Sequence, residues 1–199
     1  MLGPTFSKVA LRLLGWHYDQ QAPSLQSGVL LAAPHTSNWD FVIMSLFVDV
    51  YHLDIRWLGK HTLFGGFGGK ILRKLGGLPV DRNNRNGLVQ ELGRKFEQEP
   101  GLLLVIPPEG TRSRREKWKS GFLHIAQEAG VPITATALDY RLKRTWFSAP
   151  ISSDRSAKSI MDELRLFYRG VTPKYPQKFG PQKLAEEDMP AEDELIAHA

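Results

Sequence analysis

Short, unbroken apolar runs alternate along the chain with longer stretches in which apolar residues recur every three or four positions. Gly28 to Ala33 is the first such run; its small and apolar side chains predict a buried strand, closed by Pro34. Phe41, Val42, Met44, Phe47 and Val48 then follow helical spacing, which predicts a helix from Trp39 to about Tyr51 capped by Ser37 or Asn38. Asp54 to Leu58 reads as a second short strand. The glycine-rich stretch from Leu63 to Gly77 holds a helix over Gly69 to Leu75, and Leu78 to Val80 returns to extended chain.

Leu88, Val89, Leu92 and Phe96 give Asn86 to Gln98 a helical period, broken by Pro100-Gly101. Leu102 to Ile106 is the clearest core strand. Phe122, Ile125, Ala126 and Ala129 mark a helix from Lys117 to Ala129, ended by Gly130. Two further strands are predicted, Val131 to Leu138 and Thr145 to Ser148, joined through Arg141 to Arg144. A last helix runs from Ser156 to Tyr168, and residues 170–199 form a proline-rich, polar tail expected to be loosely held. Strands alternating with helices, with no repeat and no internal boundary, predict one α/β domain over residues 1–199.

The first sixteen residues carry a further pattern. Phe6, Val9, Ala10, Leu13 and Leu14 fall at helical spacing, with Lys8 and Arg12 on another side. Two readings fit: an interfacial amphipathic helix with Trp16 at headgroup level, or a helix packed on the domain. The segment is too short for a signal peptide and has no small-residue cleavage site. No run reaches the roughly 18–20 apolar residues of a membrane span.

Composition narrows the chemistry. The 199 residues are 42% hydrophobic and 24% charged, globular values, and there is no cysteine. Disulfides, thiolate metal sites and cysteine nucleophiles are thereby excluded. The net charge of +5 is uneven: Leu184 to Ala199 holds six acids and no Lys or Arg, leaving 26 basic against 15 acidic residues before it, a net +11. So basic a body suits anionic partners, whether phosphate substrates, lipid headgroups, an acidic carrier protein or nucleic acid, although solubility alone also accounts for it.

Two polar constellations follow strands. His35 and Asp40 straddle a strand-to-helix junction, where a histidine oriented by a carboxylate can serve as a general base and the helix start offers backbone N–H groups to an anion. An aspartate that caps the helix beside a packed histidine is the plainer alternative. Pro108-Glu109-Gly110-Thr111-Arg112-Ser113 brings a carboxylate, a hydroxyl and a guanidinium to the end of the core strand, with Arg114, Arg115, Lys117 and Lys119 extending the charge. Arg can fork two phosphate oxygens, and Gly permits close backbone approach; a solvated basic loop is the alternative. Asp81-Arg82, after Gly76 to Val80, reads either as a second phosphate contact or as a surface ion pair.

Other motifs fail. The cluster Gly65-Gly66-Phe67-Gly68-Gly69-Lys70 is not a phosphate loop, since Phe64 stands where a glycine is needed and Ile71 replaces the Ser/Thr that would hold magnesium. There is no Gly-x-Ser-x-Gly elbow. His17, His52, His61, His124 and His198 show no metal-ligand spacing.

Taken in order, His35-x4-Asp40, Gly77 to Arg82, Pro108 to Ser113 and Val131-Pro132-Ile133 resemble the four blocks of the glycerolipid acyltransferase family, whose best-known members are the 1-acyl-glycerol-3-phosphate acyltransferases. The resemblance spans roughly Val29 to Leu138. It implies a central mixed sheet flanked by helices, with His35 as general base and Asp40 as its orienting partner. It also implies direct attack on an acyl thioester without a covalent acyl-enzyme, in keeping with the absence of cysteine. Glu109, Gly110, Thr111 and Arg112 would form the acceptor headgroup site, joined by Arg82 and, at a position where the family often has a basic residue, Lys60.

The chain departs from the pattern where Pro34 precedes the histidine and where Ala135 replaces a proline of the fourth block. What the resemblance implies is therefore transfer to a lysophospholipid-like or other hydroxyl acceptor from acyl-CoA or acyl-carrier protein. No cofactor or metal, no nucleic acid, and peripheral contact with the cytoplasmic face of a membrane complete the expectation. Hydrolysis at the same site, and a non-catalytic basic module binding anionic membrane or nucleic acid, are the competing readings.

Overall fold

Buried parallel strands tend to be apolar throughout, because helices cover both of their faces. The strand-like runs of this chain assemble in that way. The structure, a computed structural model, describes residues 3–18, 25, 27–80 and 85–188. In chain order the elements are α1 (Pro4–Leu13), β1 (Gly28–Ala33), α2 (Asn38–Val50), β2 (Ile55–Lys60), a 3-10 turn (His61–Phe64), α3 (Gly66–Lys74) and β3 (Gly77–Val80). There follow α4 (Arg85–Gln98), β4 (Leu103–Ile106), α5 (Gly121–Glu128), β5 (Ile133–Asp139), β6 (Arg144–Phe147) and α6 (Ala157–Phe167).

The six strands form one mixed sheet in the order β3-β2-β4-β1-β5-β6, all pairings parallel except that of β6 with β5. β1 lies between β4 and β5, with Leu31 opposite Ile106 and Ala135. That register sets the chain leaving β1 beside the chain leaving β4, and so brings His35 and Glu109 together. The connection leaving β1 runs to β2 and the one leaving β4 runs to β5, on opposite sides. The crevice between such strand ends is the usual ligand position of an open α/β sheet.

Alternation along β1 assigns the two faces. Val29, Leu31 and Ala33 join Leu104, Ile133, Phe122, Ile160 and Leu164 in the larger core, under α5 and α6. Leu30 faces the other way, with Val105, Ile55 and Val48 of α2. A third cluster locks α2 to α1 through Leu11, Ile43, Leu46 and Phe47.

The structure adds to or departs from the sequence pattern at α1, α3, α5 and β5, α3 starting at Gly66 and β5 at Ile133. α1 packs through Leu11 and through Ser7, whose hydroxyl donates to Asp49 Oδ2 at 2.9 Å. Phe6, Val9 and Leu13 point outward, while Trp16 is not at a surface: it is buried edge-on against Phe47 and Tyr140. α5 starts at Gly121 and not Lys117; the chain before it is tied to distant segments, Trp118 N–H donating to Lys183 O and Lys119 N–H to Pro108 O.

The C-terminal segment is packed as far as it is described. Leu184 is fully buried, Val171 joins the same core, and Arg165 pairs with Glu187 at 2.7 Å. Residues 189–199 of the expected loose tail, and Arg82, lie outside the described residues. Among the described residues no helix is long and apolar enough to cross a membrane.

Candidate active site

The site forms where β1 and β4 end. Ser37 caps α2 in a reciprocal box with Asp40, the third residue of the helix. Asp40 therefore turns back along the incoming chain. Its Oδ2 accepts the N–H groups of Thr36 at 2.7 Å and Ser37 at 2.8 Å, and the same oxygen stands 3.4 Å from Nδ1 of His35. Oδ1 accepts the Tyr140 hydroxyl at 2.7 Å. Asp40 is buried, while the His35 ring keeps 24% of its surface exposed. Capping and facing the histidine are one arrangement.

The helix start is less open to an anion than the sequence suggests. The N–H groups of Thr36, Ser37, Trp39 and Asp40 are all bonded within the chain.

Glu109 departs from its expected place in a headgroup site. It is buried, and Oε1 is turned inward to accept the His35 N–H at 2.9 Å, tying the β4–α5 loop to the β1–α2 loop. Oε2 has no hydrogen-bond partner among the described residues. Burial pushes the Glu109 carboxyl up from 4.5 to about 7, against the opposing pull of the His35 and Glu109 N–H groups. Tyr140 is raised too, by burial first and then by its bond to Asp40.

The rest of the loop faces outward. Gly110 takes a φ of 64°, and a Cβ there would also meet the Lys119 side chain at 2.9 Å. Arg112 donates through Nη1 to Asn38 Oδ1, which holds its guanidinium across the start of α2. The basic run beyond it is not a single patch: Arg114 is drawn away by Glu116 and by the Phe179 carbonyl.

His35, Asp40, Gly110, Thr111, Arg112 and Lys60 all line one cavity of about 770 Å³. Lys60 reaches it from the end of β2. Behind these polar residues the walls are apolar, with Phe41, Met44 and Val48 of α2 on one side and Leu30, Val105 and Leu138 of the sheet on the other. From Asn38 to Val48 the cavity follows α2 for roughly 15 Å, at about 1.5 Å per helical residue. Such a volume lies within the roughly 300–1,000 Å³ typical of small-ligand sites. A polar mouth on a long apolar slot suits a molecule with a charged head and a hydrocarbon chain.

Two contributions were not visible in the sequence. Tyr140 lies a hundred residues from Asp40 and reaches it only because β5 ends beside β1. The apolar face of α2 read as core, and part of it is the wall of the cavity. Among the described residues no group of three or more His, Cys, Asp or Glu could hold a metal ion.

A model of the family described as Acyltransferase matches residues 16–139, well over half of the chain and inclusive of every one of these loops except that carrying Tyr140. No curated protein matches. In structure the chain is similar to the 1-acyl-sn-glycerophosphate (LPA) acyltransferase PlsC from Thermotoga maritima, with a TM-score of 0.53 over 85% of this chain and 74% of that one. At 19% identity the likeness is one of fold.

Proposed function

The chain belongs to the acyltransferase family, and on that premise we propose that it moves a fatty acyl group from an acyl-CoA or acyl-carrier-protein thioester to a hydroxyl of a lysophospholipid-like acceptor. The observation that carries this reading is the apolar cavity opening at His35 and Arg112. A hydrocarbon chain fits its walls, and an anionic headgroup fits its mouth.

In this mechanism Nε2 of His35 takes the proton of the acceptor hydroxyl as its oxygen attacks the thioester carbonyl carbon. Collapse of the tetrahedral adduct breaks the C–S bond, and the imidazolium returns the proton to the departing thiolate. Asp40, 3.4 Å from Nδ1, keeps that nitrogen protonated and stabilises the transient positive charge. Tyr140 and the two backbone N–H groups hold Asp40 in place. Glu109 positions the histidine from behind through its backbone N–H.

Arg112, held through Nη1 by Asn38, offers its remaining N–H groups to a phosphate, and Thr111 and Lys60 line the same cavity. Arg82 joins them only on the strength of the sequence pattern. A lipid acceptor calls for a peripheral position at a membrane surface, and a CoA or carrier-protein donor for its cytoplasmic face.

An acceptor screen tests the reading. Labelled acyl-CoA and acyl-carrier protein are offered with lysophosphatidic acid and other lysolipids, and products are read by mass spectrometry. The expected result is acylated acceptor, lost by about 100-fold or more in His35→Ala. Transfer at the wild-type rate in that variant would sink the mechanism. Free fatty acid as the sole product would make the chain a hydrolase, and salt-sensitive binding without turnover would make it a binding module.

A further inference from the structure

The glycine cluster at 65–69 has no part in the chemistry above, yet its geometry is specific. Gly66 opens α3 with a φ of 59°, and Gly69 lets the helix lie directly on the preceding turn, where a Cβ would sit 2.1 Å from Phe64 O. Phe64 is buried against Trp57 under the Arg73 guanidinium. Seated in this way, α3 buries Gly69 and turns its opposite face to the outside. That face carries Phe67 and Ile71, 79% and 47% exposed, beside the exposed Lys70 and Lys74; Leu63 of the turn is 56% exposed.

Single exposed apolar residues are ordinary, but these are contiguous and set in a one-sign field. Residues 55–80 contain five Lys or Arg and no Asp or Glu; Arg56 is paired with Asp54 and Glu99, which leaves Lys60, Lys70, Arg73 and Lys74 to set the field. In contrast, the described side chains of α4–α6, on the other side of the sheet, include one large exposed apolar residue, Leu166. The patch is also continuous with the cavity: Lys60, Leu63 and Leu72 line it. α1 exposes an apolar stripe as well, but contributes no residue to the cavity wall.

We infer that the 3-10 turn and α3 are the surface by which this chain docks on an anionic lipid bilayer, Phe67 and Ile71 entering the headgroup–acyl boundary while Lys70, Arg73 and Lys74 meet lipid phosphates. The docking rests on the acyltransferase reading and deepens it, since the cavity mouth is thereby set against the membrane that holds its lipid substrate. The glycines keep α3 close enough to the turn for both to reach the bilayer together.

The test is flotation of the full chain with vesicles of phosphatidylcholine alone and of phosphatidylcholine with 30 mol% phosphatidylglycerol, a chosen composition on the order used to read anionic-lipid attraction. Wild type is expected to float with the anionic vesicles and to be released by salt. Phe67→Ser with Ile71→Ser should weaken partitioning by roughly tenfold or more, and Lys70→Glu with Lys74→Glu by at least about fivefold per charge reversed. Val9→Ser with Leu13→Ser in α1 should leave it within about twofold.

Turnover of a detergent-dispersed acceptor should stay at the wild-type level in both α3 variants, which shows that they are folded. Three results would overturn the assignment: wild type failing to float, the α3 variants floating as wild type does, or only the α1 variant losing the vesicles. Unchanged flotation with lost self-association would assign the patch to a second copy and overturn it too. Loss of vesicles by the α3 variants, in a chain that transfers no acyl group to any acceptor, would uphold the docking surface and defeat the enzymatic reading instead.

Discussion

Glu109→Gln isolates the free energy linked to one buried proton. The carboxyl sits under His35 with one oxygen bonded to the His35 N–H and the other without a partner among the described residues. Burial therefore disfavours the ionised form and carries the group from 4.5 to about 7. At about 1.4 kcal/mol per pH unit, the proton is worth on the order of 3 kcal/mol of folding free energy. Between the two values the folded chain holds a proton that the unfolded chain has released, so the unfolding free energy falls as pH rises. The contribution is complete below about pH 4.5 and is lost as pH climbs through 7. Glutamine keeps an oxygen for the His35 N–H but does not titrate. Denaturant unfolding of both proteins at pH 5 and pH 8 should show wild type losing roughly 2–3 kcal/mol more than the variant across that interval. Other titrating groups are common to both and cancel. Equal losses would refute the buried, protonated carboxyl.

Three further substitutions probe other parts of the reading. Asp40→Asn can turn its oxygen to the Thr36 and Ser37 N–H groups and its amide to the Tyr140 oxygen, so the fold should hold while turnover drops by about 100-fold to 10,000-fold; melting and kcat measured together check this, and retained turnover would exclude Asp40 as the histidine's partner. Met44→Trp places bulk across the apolar cavity and should cost about fourfold in kcat/KM for each methylene no longer accommodated, at about 0.8 kcal/mol apiece; an acyl-thioester length series with an unmoved optimum would show that the chain does not lie there. Leu184→Ala should cost about 3 kcal/mol in denaturant unfolding, because the side chain is fully buried in the main core; a loss below about 0.5 kcal/mol would mean that the segment is not packed.

Much of the architecture was legible because its determinants are local. Gly28 to Ala33 is apolar at every position, as a strand covered on both faces must be, and its ends fall where the pattern puts them. The failures share a cause in distant chain. Lys117 to Ser120 continues the helical spacing, but Trp118 and Lys119 are tied by their N–H groups to Lys183 and Pro108, chain the local pattern cannot see. A polar, proline-rich stretch looks loose until Leu184 finds a core built from other segments. Phe41, Met44 and Val48 share the spacing of core residues, and periodicity cannot tell a side chain that packs on another from one that walls a cavity. Glu109 was given to the headgroup site by the family resemblance alone; the His35 N–H that its Oε1 accepts is 74 residues away.

The His35–Asp40 spacing shows why the plain and the chemical readings of a motif need not compete. Asp40 is the third residue of α2, and the reciprocal box with Ser37 makes its side chain reach back toward the helix start. From there the chain presents, in order, the Ser37 N–H, the Thr36 N–H and the His35 ring, and one carboxylate oxygen faces all three. Four intervening residues are thus what helix geometry requires for a capping carboxylate to meet the imidazole that precedes it. The same bonds that stabilise the helix fix the oxygen against His35 without asking a flexible side chain to find it, so the orientation is settled on folding, before any substrate arrives. Tyr140 then closes the remaining oxygen from just beyond the end of β5, so Asp40 is held both by its own helix start and by a neighbouring strand's end.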